Sequence, residues 1–140
     1  MTTISTASLA EEFLRGLTSK NLETVMALWT DEGVMEFPFA PDGSSKRFVG
    51  KAAIAQTLSS AFKVRTEMDF PEVKLYPMDN TNMAVVEFRG KMTLSSGQPY
   101  NNQYIALVEA KDGRLVLFRE YFNPLVDLQA GNPRALEAEK

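Results

Sequence analysis

Apolar residues recur every four positions at Leu9, Phe13 and Leu17, behind a Ser8 and Glu11 pair with capping-box spacing. This predicts a first helix ending near Ser19 and Lys20. Asn21 is placed to cap a second helix with apolar positions Leu22, Val25, Met26, Leu28 and Trp29. Gly33 breaks that pattern, and residues 34–39 read as a short strand stopped by Pro38 and Pro41. After the loop Pro41-Asp42-Gly43-Ser44-Ser45, a third helix runs from Gly50 to about Thr66, with Ile54, Leu58, Ala61, Phe62 and Arg65 on one face. The period then changes to two, giving strands at about 69–77, 82–94, 100–111 and 114–123. Asp112-Gly113 between the last two is a two-residue hairpin signal, since both central residues must accept positive φ. Gly131-Asn132-Pro133 ends the ordered part, and the charged tail to Lys140 is expected to fray.

Three helices followed by an antiparallel meander describe an α+β fold: a curved, cone-shaped antiparallel sheet with helices on one face. Residues 1–140 read as one domain with an ordered core at about 8–126, because no linker, repeat or low-complexity segment interrupts them. The hairpins set a register. With Asp112-Gly113 as loop, Glu109 pairs with Val116, Leu107 with Phe118, Ile105 with Glu120 and Gln103 with Phe122; with Ser95 to Gln98 as loop, Met92 pairs with Asn101 and Phe88 with Ile105. One face then carries Val86, Phe88, Met92, Ile105, Leu107, Val116, Phe118 and Phe122, interrupted by Asn101, Gln103, Glu109 and Glu120. The opposite face carries Glu87, Arg89, Lys91, Tyr104, Arg119 and an apolar cluster of Ala106, Val108, Leu115, Leu117 and Tyr121. A patch of that kind is seldom left open on a soluble monomer, and it predicts a homodimer through the outer sheet face.

Composition narrows the chemistry. The 140-residue chain has no cysteine and no histidine. Thiolate nucleophiles, disulfides, Ser-His-Asp triads and imidazole metal ligands are therefore excluded, and proton transfer falls to Glu, Asp, Tyr, Lys or water. The net charge of -3, with both signs interspersed, gives no nucleic-acid footprint. Neither a signal peptide nor a membrane-spanning apolar stretch is legible, so a cytoplasmic location without membrane partners is the default expectation. Asp31, Glu32 and Glu36 do not supply the convergent oxygens a metal site needs, and no metal or cofactor is expected.

Several words in this order resemble the nuclear transport factor 2-like superfamily, which includes ketosteroid isomerases, SnoaL-like polyketide cyclases and the PhzA/PhzB proteins of phenazine biosynthesis. They are Trp29-Thr30-Asp31-Glu32, Glu36-Phe37-Pro38-Phe39-Ala40-Pro41, Tyr100-Asn101-Asn102-Gln103-Tyr104, Asp112-Gly113-Arg114 and above all Arg119-Glu120-Tyr121-Phe122-Asn123-Pro124. The resemblance spans about residues 8–126 and implies a cone with an apolar pocket, a small-molecule ligand and a place in secondary metabolism. In the ketosteroid isomerase pattern the oxyanion-hole tyrosine falls on Phe13 and the general-base aspartate on Phe37, so that constellation is absent. The closing word is nearer to PhzA/PhzB, where the glutamate matching Glu120 is the proposed acid/base and a histidine falls on Gln103.

Glu120 is thus the leading catalytic candidate. It is a carboxyl between Phe118 and Phe122 whose desolvation raises its pKa toward neutrality, with Gln103 as its polar partner. A structural carboxyl bonded to Gln103, Asn101 or a backbone amide is the alternative role. Phe13, Trp29, Phe37, Phe39, Phe62, Phe88, Met92, Ile105, Phe118 and Phe122 are the candidate pocket lining. The expected activity is cofactor-independent proton transfer of isomerase, cyclase or dehydratase type on an apolar carbonyl-bearing metabolite. A non-catalytic ligand-binding or dimeric scaffold module is the competing reading.

Overall fold

The computed structural model describes residues 5–80 and 82–134; the charged tail from residue 135 and the first four residues lie outside them. Helix α1 (Thr6–Ser19) buries Leu9, Ala10, Phe13, Leu14 and Leu17, and α2 (Leu22–Met26) follows under the Asn21 cap. Strand β1 (Trp29–Glu36) pairs with the short β2 (Arg47–Val49), and α3 (Lys51–Val64) leads directly into β3 (Arg65–Pro77). The meander is β4 (Met83–Leu94), β5 (Pro99–Lys111) and β6 (Arg114–Phe122), and α4 (Pro124–Gln129) closes the element order. The sheet order is β2-β1-β6-β5-β4-β3, antiparallel except where β1 runs parallel to β6. This is an open, curved α+β sheet with α1 and α3 against its inner face, as the alternation of periods predicts.

Several boundaries differ from expectation. The cap of α1 is Ser5, whose hydroxyl accepts from the Ser8 amide at 3.1 Å, so Ser8 lies inside the helix. Trp29 belongs to β1 and not to α2. Gly33 does not break a helix; it makes room for the indole, since a Cβ there would stand 2.5 Å from Trp29 Cε3. Strand β2 and helix α4 are additions, too short for a periodic signal.

The largest correction is the facing of β5. Asp112 (φ 52) and Gly113 (φ 76) form the expected hairpin, with Lys111 opposite Arg114. One step on, Ala110 pairs with Leu115 and Glu109 with Leu117, which leaves Val116 as the extra residue of a β-bulge. The other hairpin pairs Thr93, not Leu94, with Pro99. Both differences are single residues, and together they turn β5 over. Ala106 faces Glu120, Val108 faces Phe118 and Tyr104 faces Phe122, while Gln103, Ile105 and Leu107 point outward. Strands β4 and β6 keep Val86, Phe88, Met92, Phe118, Glu120 and Phe122 on the inner face. Ala106, Val108 and Leu115 are fully buried, so the outer apolar cluster is not the one expected. It consists of half-buried Val34, Val85, Leu107, Leu117 and Tyr121 around exposed Ile105.

Candidate active site

Between the inner sheet face and helices α1 and α3 lies a cavity of about 70 Å³. Its apolar wall is Phe13 and Leu17 from α1, Met35 and Phe37 around the end of β1, Leu58 and Ala61 from α3, and Met68, Phe70, Met92 and Phe118 from the sheet. Its polar groups are Thr57, Arg65, Tyr104, Glu120 and Arg134.

Alternation along β6 sets Glu120 on the inner face between two buried rings, and its side chain is only 13% exposed. The chain then leaves the sheet at Asn123, which caps α4 by accepting from the Leu125 amide, and turns back through Gly131 and Asn132 at positive φ. That return carries Arg134 to the cavity. Its Nη2 donates to Glu120 Oε2 at 3.1 Å, its Nε donates to Asp127 Oδ2 at 2.8 Å, and its guanidinium lies 3.8 Å from the Phe122 ring centroid and 4.6 Å from that of Phe37. Asp127, fully buried, also accepts from the Tyr100 hydroxyl. Asn102 completes this network: its Nδ2 donates to the Asn123 carbonyl at 3.0 Å, and its Oδ1 accepts from the Asn123 amide at 3.1 Å. The strand end and α4 are thereby held together. Arg65, also buried, stands over the Tyr100 ring at 5.3 Å.

Burial raises the Glu120 carboxyl above its ordinary value; the charge and hydrogen bond of Arg134, and the charge of Arg65, oppose the rise without cancelling it. Burial, with Tyr100 and Glu120 adding to it, pushes the Tyr104 phenol well above its ordinary value, so it enters the cavity as a neutral O–H donor. Burial and the charge of Arg134 lower Arg65, although a guanidinium so placed keeps its proton at physiological pH.

The candidates named from the sequence divide accordingly. Glu120, Phe13, Phe37, Met92 and Phe118 line the cavity. Trp29 is buried one layer behind, edge-on to Phe13 at 5.8 Å, Phe88 stacks beneath Tyr104 at 4.7 Å, and Phe122 lies under Arg134. Phe62 packs against the core, and its carbonyl accepts from Lys20 Nζ at 2.8 Å. Gln103, Ile105 and Phe39 are corrections. Turning β5 over puts Gln103 on the outer face beside Glu72, Lys74 and Arg89, and leaves Ile105 44% exposed. Phe39 lies past the end of β1, 54% exposed, against Tyr121. The residues missed are Arg134, Asp127, Arg65, Tyr100 and Tyr104. One signal was available: Arg65 stands on the apolar face of the third helical pattern, where a cation needs buried partners.

The sequence profile of the SnoaL-like domain matches residues 10–118. The chain belongs to the SnoaL-like domain family. Its likeness to solved structures agrees with this. A crystal structure from Bacillus subtilis, described as a proposed isomerase, matches at a TM-score of 0.83 and 32% identity, over 91% of this chain and 93% of its own. A proposed polyketide cyclase from Pseudomonas putida matches at a TM-score of 0.80 over 90% of this chain and 97% of its own; at 13% identity this is a likeness of fold. An uncharacterised PhzA/B-like protein of Pseudomonas aeruginosa is 34% identical over 104 residues, covering 74% of this chain and 73% of that relative. The SnoaL-like match ends at Phe118, two residues before Glu120. Asp127 and Arg134 therefore lie outside the matched region as well.

Proposed function

We propose that this SnoaL-like protein is an enzyme that moves a proton on a small, largely apolar, carbonyl-bearing metabolite without a cofactor, in a reaction of isomerase, cyclase or dehydratase type. The observation that carries the reading is Glu120: a nearly buried carboxyl on the wall of a largely apolar cavity, raised by burial. Such a group takes a proton from carbon beside a carbonyl and returns it elsewhere, and both states are accessible when its pKa moves toward neutrality. The negative charge that develops on the carbonyl oxygen needs fixed donors, and the Tyr104 hydroxyl and Arg134 guanidinium line the same cavity. The descriptions of the Bacillus subtilis and Pseudomonas putida neighbours as isomerase and cyclase point to the same class.

A second reading has its own observation: Glu120 is already bonded to Arg134, as a structural carboxyl in a ligand-binding module would be. Proton exchange separates the two. Small cyclic ketones incubated in deuterium oxide should gain deuterium beside the carbonyl faster with the protein than without it. Glu120→Gln should slow this by on the order of a hundredfold or more. Equal rates for both proteins would sink the catalytic reading and leave the binding module. The protein is further proposed to be a cytoplasmic homodimer joined through the outer sheet face around Ile105, with no membrane or nucleic-acid partner. Among the described residues no helix is long and apolar enough to cross a membrane.

A further inference from the structure

Strand β4 turns Val86, Phe88, Gly90 and Met92 toward the helices, and Gly90 alone of these brings no side chain. It is buried in mid-strand, and its φ lies outside the left-handed region. The backbone therefore does not call for glycine, and glycine weakens the interior of a strand. Space calls for it. A Cβ at Gly90 would stand 2.9 Å from Tyr104 Cε2, 3.0 Å from the Tyr104 hydroxyl oxygen and 3.1 Å from Met92 Cε. Non-bonded carbons settle at about 3.5–4.0 Å, so the tyrosine ring would have to retreat by roughly 0.6–1 Å. Met92 ends in a flexible chain and can yield, whereas the ring of Tyr104 is a rigid plate.

That ring has two supports. Phe88, directly opposite Tyr104 across the β4–β5 ladder, stacks against it at 4.7 Å with 16° between the planes. The hollow over Gly90, on the same face of β4, takes the hydroxyl end of the ring. Among the described residues no hydrogen bond holds that hydroxyl, so packing fixes where it lies. On the other side of β5, Ala106 pairs with Glu120, which sets Tyr104 diagonal to Glu120 on the same inner face. Both residues line the cavity.

We propose that Gly90 is a positioning residue for proton transfer: its missing side chain leaves the hollow in which Tyr104 lies, and with Phe88 it sets the place of the hydroxyl that meets charge developing on the substrate carbonyl. This rests on the reading of the cavity as a proton-transfer site. Gly90 acts through Tyr104 and touches no substrate itself. A donor stabilises developing charge best when it already stands where the charge will appear. Misplacement by about 1 Å can cost on the order of a hundredfold in rate. The charge is absent from the ground state, so the loss falls on kcat and leaves KM nearly as it was.

A double-variant cycle on deuterium uptake by cyclohexanone tests this. Tyr104→Phe should lower kcat on the order of a hundredfold. Gly90→Ala should lower it about tenfold or more, with KM held within about twofold. In the Tyr104→Phe background Gly90→Ala should cost less than about twofold, since no hydroxyl is left to displace. A glycine with a merely structural role would lower the rate in both backgrounds alike. Melting temperature gives a readout free of activity. Gly90→Ala should lower it in the wild-type protein but leave it level or raise it in Tyr104→Ala, where the ring is gone and a strand prefers alanine to glycine. If Gly90→Ala does not fold, Phe88→Leu takes its place in the rate cycle, with the same pattern expected. Equal losses in both backgrounds, a wild-type rate in Gly90→Ala or Tyr104→Phe, a loss confined to KM, or equal falls in melting temperature with and without the ring would each overturn the proposal. Any of these with Glu120→Gln still slowed removes the part given to Gly90 and leaves proton transfer standing. No deuterium uptake above background by the wild-type protein overturns both together.

Discussion

Glu120 and Asp127 are two buried carboxyls that share one arginine, and Glu120 alone of the two lines the cavity. Glu120 is raised by burial, so the folded protein holds that proton more tightly than the unfolded chain. A raised carboxyl contributes stability below its unfolded value, near 4.5, and loses it as pH rises through the folded one. Glu120→Gln removes that loss. The difference in melting temperature, variant minus wild type, should grow as pH rises from about 4.5 toward neutrality and then level off. A difference that stays flat across this range would show that Glu120 titrates as in the unfolded chain. Asp127 has a different task. It joins Arg134, Tyr100 and Asn102 around a fully buried carboxyl whose two oxygens take all three donors, and an amide in its place leaves one acceptor oxygen for them. Asp127→Asn should cost about 3–5 kcal/mol, as breaking a buried pair does, and lower the melting temperature by roughly 10 °C. A melting temperature within a degree or two of wild type would show that the network does not hold the C-terminal return in place.

At the level of elements, the sequence was informative where one face of a strand is clearly polar. In β4, Glu87, Arg89 and Lys91 alternate with Phe88, Gly90 and Met92, and in β6 the rings Phe118 and Phe122 flank Glu120; both strands face as the alternation requires. Strand β5 offers no such contrast. Ile105 and Leu107 on one face are as apolar as Ala106 and Val108 on the other, so the bulge at Val116 and a one-residue change in the preceding hairpin decide its facing. A bulge leaves no periodic mark, and a single residue turns every side chain over. Tyr100, Asn102 and Tyr104 entered the site by that turn, and Gln103 left it. Arg134 was hidden for another reason: it follows Gly131-Asn132-Pro133, a combination that reads as an end and here makes a return. Gly33 shows the same tension between local and tertiary causes. Its missing Cβ admits the Trp29 ring, so Gly33→Ala should destabilise the domain by about 1–3 kcal/mol through overpacking. Chemical denaturation will measure this, and an unchanged midpoint would mean that the indole has room to move.

Over the whole molecule, the sheet presents two faces with different duties. The inner face and helices enclose the cavity, while the outer face sets Val34, Val85, Leu107, Leu117 and Tyr121 around exposed Ile105. Charges at Glu36, Arg119, Glu72 and Arg89 border that patch in pairs. An apolar centre with a charged rim suits association of two copies, and light scattering should give a dimer at micromolar concentration. Ile105→Glu should give a monomer with an unchanged cavity, whereas a monomeric wild-type protein would remove the assignment. The cavity itself divides between two stretches of chain. The part that matches the family supplies the cone and its apolar wall, but Glu120, Asp127 and Arg134 all fall beyond it, within residues 120–134. Arg65 and Tyr104, the other two titratable groups of the cavity, lie within the matched part. The guanidinium that meets Glu120 is delivered by the last described turn, so shortening the chain before Gly131 would leave Glu120 without its Nη2 donor while the apolar wall from α1, α3 and the sheet stays.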